Sequence, residues 1–230
     1  MLGETFKRFD LRHEYEPSKP KIKYVKGKPV VRNPLDIRGL ILHQTAVNYG
    51  VSARQIRLSG GDRDLALARR GLQVKSHGTA FRNGVYVIST PLLMYVQGGN
   101  GFNPDGINLE IEGNYPGLPD DPSTVPLRED KKTTWGGNPT EWTELAMLTA
   151  RALVRDVVTL AFEEGCRNLE YIWAHRQSNG GKPADPGYQI WQDVAEWAAA
   201  YFGLKLDYEH TRGTGKPIPR QWSPKATGSY

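Results

Sequence analysis

Short apolar runs alternate with segments of helical spacing between residues 36 and 206. Residues 38–44 (RGLILHQ) include a short apolar run that is typical of a buried strand. An Asn83-Gly84 turn between apolar flanks predicts a hairpin over residues 80–89. Further strands are predicted over residues 92–96, 107–112 and 170–174.

Two longer segments have the spacing and the end signals of helices. Asn138 is a candidate N-cap with Glu141 three positions later, and apolar residues then recur at helical spacing up to Gly165. A second helix is predicted over residues 188–202, and a shorter one over residues 63–70. Because strands and helices alternate, the pattern predicts an α/β fold with a central mixed sheet flanked by helices.

The strand predicted over residues 107–112 (INLEIE) places its polar side chains on one face. Successive side chains of a strand point to opposite faces, so Asn108, Glu110 and Glu112 share one side of the sheet. A carboxylate in that position needs surroundings that accommodate its charge. Glu110 is therefore a candidate functional residue.

Proline and basic residues distinguish the two ends of the 230-residue chain from its middle. Residues 1–35 predict a basic, proline-rich arm with at most one hairpin, which turns at Gly27. Residues 207–230 predict a basic, Gly/Pro-rich tail that drapes over the domain or stays mobile. Residues 36–206 form the single predicted domain, and we expect a monomer.

Composition excludes several classes of protein. No stretch approaches the ~18 consecutive apolar residues of a bilayer span, so no membrane insertion is expected. The net charge of +5 is compatible with an anionic partner, but it does not choose between nucleic acid, lipid headgroups and cell-wall polymer. Nucleic-acid binding is not expected, because no Lys/Arg cluster is interleaved with aromatic residues. Cys166 is the only cysteine, which excludes an internal disulfide and a multi-cysteine zinc site.

Residues 114–138 contain four prolines and show no periodicity. Loops of this length in a compact domain are usually functional or disordered. Asn114 and Trp135 lie in this segment. In the functional interpretation they line a groove that receives substrate, and in the alternative interpretation they only anchor the loop.

Three of the five histidines lie on or beside predicted strands: His43, His77 and His175. His43 and His175 each follow an apolar run, at a point where a strand meets a loop, and functional residues favour such positions. Asp185 follows His175 by ten residues, in a Gly/Pro-rich excursion that can return its carboxylate to the imidazole. Two imidazoles and one carboxylate form a possible zinc site whose fourth position stays open for water.

Four blocks of sequence carry a resemblance to a known family. They are LILHQTA (40–46), SHGTAFRNGVYVIS (76–89), NPDGINLEIEG (103–113) and YIWAHRQSNGGKPADPG (171–187). In this order they resemble the motifs of zinc-dependent N-acetylmuramoyl-L-alanine amidases, in the superfamily shared with peptidoglycan recognition proteins and phage lysozyme-type amidases. The resemblance implies a central sheet flanked by helices, with Zn²⁺ held by His43, His175 and Asp185.

The resemblance also implies a reaction, hydrolysis of the amide between N-acetylmuramic acid and L-alanine in peptidoglycan or soluble muropeptides. Glu110 is the implied general acid and base, with Glu112 as the alternative, and Lys182 is the candidate that stabilises the oxyanion. Ser76 stands where some relatives have a catalytic tyrosine, which leaves proton transfer to the acid. Candidate substrate contacts are His77, Asn103, Asn114 and Trp135, and His77 has a second interpretation as a core histidine.

A non-catalytic peptidoglycan-binding module on the same fold is the alternative function. Superfamily members that lost a zinc ligand bind peptidoglycan without cutting it, whereas all three candidate ligands are present here. The N-terminus has no apolar run that could serve as a signal peptide. We therefore expect either action on the cell wall after release, as a phage or prophage lysin, or a cytoplasmic recycling role.

Overall fold

The computed structural model describes residues 6–15, 21–118 and 139–230. Seven strands form one sheet: β1 (Lys7–Asp10), β4 (Gly39–Gln44), β5 (Gly78–Ala80), β6 (Val85–Ile88), β7 (Gly106–Ile111), β8 (Tyr171–Ala174) and β9 (Lys205–Leu206). Two further strands, β2 (Tyr24–Val25) and β3 (Lys28–Pro29), form a separate hairpin. The sheet order is β1-β6-β5-β7-β4-β8-β9, in which β5 and β6 pair antiparallel and the other neighbours pair parallel.

Helices cover both faces of the sheet. On one face, α2 (Arg63–Gly71) packs through Leu67 and Ala68 against side chains of β1 and β6. On the opposite face, α3 (Glu144–Glu163) packs against β5 and β6. The remaining helical segments are α1 (Ala53–Leu58), α4 (Tyr188–Ile190), a π-helical stretch (Trp191–Ala195) and α5 (Glu196–Phe202). The prediction of one domain with a mixed central sheet flanked by helices is confirmed.

The strand predictions are confirmed with one exception. The Asn83-Gly84 hairpin is present, with Ala80 paired to Tyr86. The strand predicted over residues 92–96 is wrong, because Met94 and Val96 make only isolated bridges. Their partners, Val31 and Ile22, belong to the N-terminal part of the chain, so the apolar segment is buried without extending a ladder.

The predicted start of the long helix is also wrong. The N-cap is Thr143, whose side chain accepts a hydrogen bond from the backbone N–H of Ala146. Asn138 lies outside the described residues, and Thr140 instead pairs with the backbone of Asn114. The predicted end is confirmed, since α3 stops at Glu163, just before the positive-φ Gly165.

Both terminal segments contribute to the fold. The N-terminal part supplies β1, which pairs with β6 at the edge of the sheet, and the predicted hairpin at Gly27. The C-terminal part buries Ile218, Trp222 and Ala226 against the main core. The boundaries of the predicted domain stay a prediction. Within the described segments, no helix has both the length and the apolar character needed to span a bilayer.

The strand register determines where a site can form. β4 pairs with both β7 and β8, all three running parallel, so their carboxyl ends meet at one edge of the sheet. Crevices outside the carboxyl ends of parallel strands are the usual ligand sites of such sheets. His43 and Glu110 are register partners near the ends of β4 and β7, which places both side chains on the α2 side of the sheet.

Candidate metal centre and catalytic site

Three side chains with metal-ligating atoms converge at this edge. His43 is the penultimate residue of β4, His175 follows β8 directly, and Asp185 returns from the loop after it. All three are buried, and a ligand atom from each lies within 4.8 Å of those of the other two. The two imidazole ring centroids are 4.4 Å apart. The structure therefore brings together the three residues that the sequence predicted as a ligand set.

Two asparagine side chains orient the imidazoles. Asn108 Oδ1 lies 2.9 Å from His43 Nε2, and Asn100 Oδ1 lies 3.3 Å from His175 Nε2. An amide oxygen only accepts hydrogen bonds, so these contacts favour the tautomer in which each Nε2 carries the hydrogen and each Nδ1 presents a lone pair. This is the arrangement in which a metal-ligating histidine is fixed by a partner on its other nitrogen.

The contact between His175 and Asp185 provides a test of fit for a cation. His175 Nδ1 lies 2.9 Å from Asp185 Oδ2, so a lone pair faces a carboxylate oxygen. A lone pair and a carboxylate oxygen at this distance repel each other unless a proton or a metal cation lies between the two atoms. The other carboxylate oxygen accepts a hydrogen bond of 3.0 Å from the backbone N–H of Gln44, which fixes the direction of the carboxylate. Two nitrogens and one oxygen of this kind suit zinc.

The protonation states also favour a cation. Burial, the largest cause, lowers the pKa of His43 to about 3, so this imidazole is neutral at pH 7. Burial alone would raise the pKa of Asp185, but the two histidines and the Gln44 N–H outweigh it and hold that pKa below its usual value. A neutral imidazole and an ionised carboxylate are the forms that bind metal.

Glu110 differs from the other buried acids. Its Oε2 atom is buried and has no hydrogen-bond partner among the described residues. Burial and the nearby Asp185 raise the pKa of Glu110 to about 8, against the opposing charge of Lys182. In the metal-free protein, the Glu110 carboxyl group can therefore exchange a proton near pH 8, beside the candidate ligand set.

Glu112, the alternative acid, has its carboxylate engaged. It accepts hydrogen bonds from the backbone N–H groups of Tyr49 and Arg82, the latter at 2.9 Å. These bonds tie the loop after β4 to the turn before β6. The geometry therefore favours Glu110 over Glu112 as the acid, in agreement with the role that the resemblance implies.

The predicted substrate contacts are placed differently from one another. His77 is fully buried, accepts a hydrogen bond from the Asn108 N–H through Nδ1 and lies 3.0 Å from the Met94 carbonyl through Nε2. These surroundings fit its second interpretation, that of a core histidine. Asn103 and Asn114 are also buried; Asn103 Oδ1 accepts from the Gly99 N–H and so shapes the loop that carries Asn100.

The predicted site roles of Asn103, Asn114, Trp135 and Lys182 remain predictions. Trp135 lies outside the described residues. Lys182 is half-buried in the loop between His175 and Asp185, and its charge acts on the pKa values of both Glu110 and His43. Lys182 is thus within electrostatic range of the site, as its proposed role requires.

The sequence prediction missed the two asparagines. Asn108 was visible as a polar residue on the same strand face as Glu110, but nothing in the spacing pointed to a histidine partner. Asn100 gave no signal, because it reaches His175 from a loop in which it adopts a positive φ of 49°.

Replacing Asn108 by leucine tests this orienting contact. Asn108→Leu keeps the side-chain size but removes the acceptor, so we expect about 10- to 100-fold weaker zinc binding, measured by chelator competition. Thr149→Val is the control, since it removes a fully buried hydroxyl from α3 on the opposite face of the sheet and leaves the affinity unchanged. Equal affinities of Asn108→Leu and the unaltered protein would contradict the orienting role.

Comparisons with known proteins give distant structural matches. No family model matches the chain, and no curated protein matches its sequence. Among solved structures, the N-acetylmuramoyl-L-alanine amidase LysC from Clostridium intestinale URNW is 15% identical, with 87% of this chain and 100% of that chain covered at a TM-score of 0.46. Drosophila PGRP-LB is 12% identical, with 87% and 97% covered at a TM-score of 0.45.

These neighbours are amidases and peptidoglycan recognition proteins, the superfamily that the four sequence blocks resemble. A third structure, an ectodomain complex of the recognition proteins LCa and LCx bound to tracheal cytotoxin, is 11% identical, with 86% and 98% covered at a TM-score of 0.47. Because the likeness is this distant, a function has to rest on the residues of the site.

Proposed function

We propose that the protein is a zinc-dependent N-acetylmuramoyl-L-alanine amidase. The observation that carries the proposal is the convergence of His43, His175 and Asp185 at one sheet edge. Beside them lies a carboxyl oxygen of Glu110 that has no hydrogen-bond partner among the described residues. Three ligands leave a fourth coordination position for water, which is the pattern of catalytic zinc sites. The substrate class is inferred from the resemblance of the four sequence blocks to N-acetylmuramoyl-L-alanine amidases.

Hydrolysis of an amide needs an activated water, a proton for the leaving amine and stabilisation of the oxyanion. Zinc held by this ligand set would supply a water with a pKa near ~7 and polarise the carbonyl oxygen. Glu110, in its ionised form, would take the proton of the attacking water and then deliver it to the departing nitrogen. Lys182 would contribute positive charge towards the developing oxyanion.

Asn108 and Asn100 support this chemistry without touching the substrate. By holding the hydrogen on both Nε2 atoms, they keep the two Nδ1 lone pairs directed at the metal position. Gln44 has the corresponding role for Asp185 through its backbone N–H. The site is thus ordered before substrate arrives, which is what transition-state stabilisation requires.

The proposal predicts one bound Zn²⁺ per chain and a defined product. The metal-free protein, titrated with zinc and incubated with purified sacculi or with soluble muropeptides, is expected to release free stem peptides that begin with L-alanine, identified by mass spectrometry. Activity should disappear with a chelator and return with zinc. Comparing the two substrates shows whether intact cell wall or soluble fragments are preferred.

Three outcomes would overturn the proposal. A chain that stays metal-free at saturating zinc has no zinc-dependent activity. A chain that binds zinc and retains sacculi or muropeptides without releasing peptide is the binding module, the alternative function. A product cleaved at a glycosidic bond would replace the amidase assignment by that of a glycan hydrolase.

A further inference from the structure

Two of the three candidate ligands, His175 and Asp185, come from one irregular excursion, residues 175–187, which we call the ligand loop. Its inner side is closed by the contact between the two ligands and by the Arg176 N–H, which donates to the Asp185 carbonyl at 3.0 Å. Residues 207–230, which we call the C-terminal segment, run along the outer side of this loop.

Arg176 connects the ligand loop to the C-terminal segment. Its side chain is fully buried next to a ligand in sequence. One guanidinium nitrogen donates to the Pro183 carbonyl at 2.6 Å within the loop, and another donates to the Ser229 carbonyl at 3.1 Å. The guanidinium also lies over the ring of Trp222, 5.1 Å from its centroid.

The surroundings of Arg176 are unusual for a buried cation. No carboxylate among the described residues lies within ion-pairing distance of its guanidinium. Its partners are carbonyl groups and the rings of Trp222 and Tyr230. Burial lowers the pKa of Arg176 only to about 10, so the side chain stays charged at neutral pH. Burying a charge without a counter-ion costs free energy. The contacts of Arg176 with the ligand loop and the C-terminal segment have to offset that cost.

The next residue, Gln177, extends the connection. Its side-chain N–H donates to the carbonyl groups of Asp207 at 2.6 Å and His210 at 2.9 Å, and its own carbonyl accepts from the Arg212 N–H at 2.8 Å. Gly215 lies so close that a Cβ atom there would stand 1.8 Å from the Gln177 carbonyl oxygen. The C-terminal segment thus pairs with the ligand loop through both backbone and side chains.

The C-terminal segment is itself held by the core. Ile218 and Trp222 are fully buried, and the Trp222 indole N–H donates to the Gly117 carbonyl. Arg212 makes two hydrogen bonds of 2.7 Å to the carboxylate of Asp105, in the loop before β7. Because these anchors lie on the body of the domain, the segment can transmit its rigidity to the ligand loop.

We propose that the C-terminal segment is a positioning element of the metal site, acting through the positioning residue Arg176. The proposal rests on the metal-binding part of the proposed function. Fixing each residue of a flexible loop costs conformational entropy. With the C-terminal segment in place, the ligand loop is ordered during folding, before the metal binds. Without the segment, metal binding would have to order the ligand loop, and affinity would fall.

Two substitutions weaken the connection without touching a ligand. Gly215→Ala forces the segment away from the Gln177 carbonyl. Arg176→Lys keeps the charge but cannot donate to the Pro183 and Ser229 carbonyls with the same fork geometry. Gly203→Ala is the matched control, since its positive φ of 70° makes alanine strained while no atom lies within 4 Å of the added methyl group. It lowers stability at the end of α5, away from the ligand loop.

Three measurements are made on the full chain: hydrogen exchange of the metal-free protein, zinc affinity by chelator competition and the d–d absorption spectrum of the cobalt(II)-loaded protein. We expect Gly215→Ala to accelerate exchange within residues 175–187 but not in α3, to weaken metal binding about 10- to 100-fold and to change the cobalt spectrum. Arg176→Lys should give smaller changes in the same direction. Gly203→Ala should lower the melting temperature alone.

The failure of this inference is distinguishable from that of the proposed function. If the unaltered protein binds zinc and both variants bind it equally tightly with an unchanged cobalt spectrum, the positioning role is wrong and the metal site stands. If the unaltered protein binds no metal, the proposed function fails. In that case unchanged exchange of the ligand loop in Gly215→Ala overturns the inference as well. A loss of affinity in Gly203→Ala equal to that in Gly215→Ala would also overturn it.

Discussion

A His175→Ala variant is expected to bind no stoichiometric zinc and to release no stem peptide from sacculi. The substitution removes one of three ligands and also leaves the Asp185 carboxylate without its partner at 2.9 Å. Zinc contributes several kcal/mol of transition-state stabilisation, so the rate should fall by more than about 1,000-fold. Metal content by elemental analysis and peptide release by mass spectrometry measure the two effects separately.

The controls for this experiment are the residues that could imitate a ligand. His13→Ala removes an exposed histidine from the N-terminal part, and Cys166→Ala removes the only thiol, which is fully buried in the core. Both variants should keep one zinc per chain. If Cys166→Ala lost the metal, or if His175→Ala retained both zinc and activity, the ligand assignment would be wrong.

The position of the candidate site could be predicted because its chemistry lies at strand ends. His43 and His175 each follow an apolar run, and parallel strands bring such ends to one edge. The return of Asp185 was readable from a Gly/Pro-rich excursion of ten residues. These signals are local. They predict the site correctly because the apolar runs form the strands whose ends carry the histidines.

Other parts of the site depend on contacts between distant segments, for which the sequence carries no local signal. His77 is strand-flanking like His43, yet its neighbours are Asn108 and Met94, and it lies in the core. Composition predicted a polar tail over residues 207–230, whereas Trp222 and Ile218 are buried there. A few buried apolar residues among Gly, Pro and basic residues are enough to anchor this segment to the core.

The clearest separation of catalysis from metal binding is expected from Glu110→Gln. Glutamine keeps the shape of the side chain but cannot exchange a proton, so peptide release should fall about 100- to 10,000-fold while one zinc per chain is retained. Glu112→Gln is the comparison, since the Glu112 carboxylate accepts two backbone N–H bonds and would not carry the proton. If Glu112→Gln lost activity and Glu110→Gln kept it, the two roles would have to be exchanged.

The same Glu110→Gln substitution should stabilise the metal-free protein, increasingly so at high pH. Folding raises the pKa of Glu110 from 4.5 to about 8, so between these values the folded chain holds a proton that the unfolded chain has lost. The stability contributed by this group is therefore complete below pH 4.5 and is lost as the pH rises towards 8. Since the glutamine side chain of the variant does not titrate, the difference in unfolding free energy should grow by up to about 1.4 kcal/mol per pH unit, measured by chemical denaturation from pH 5 to 8. A difference that stayed constant with pH would show that folding does not raise the pKa of Glu110 in the metal-free protein.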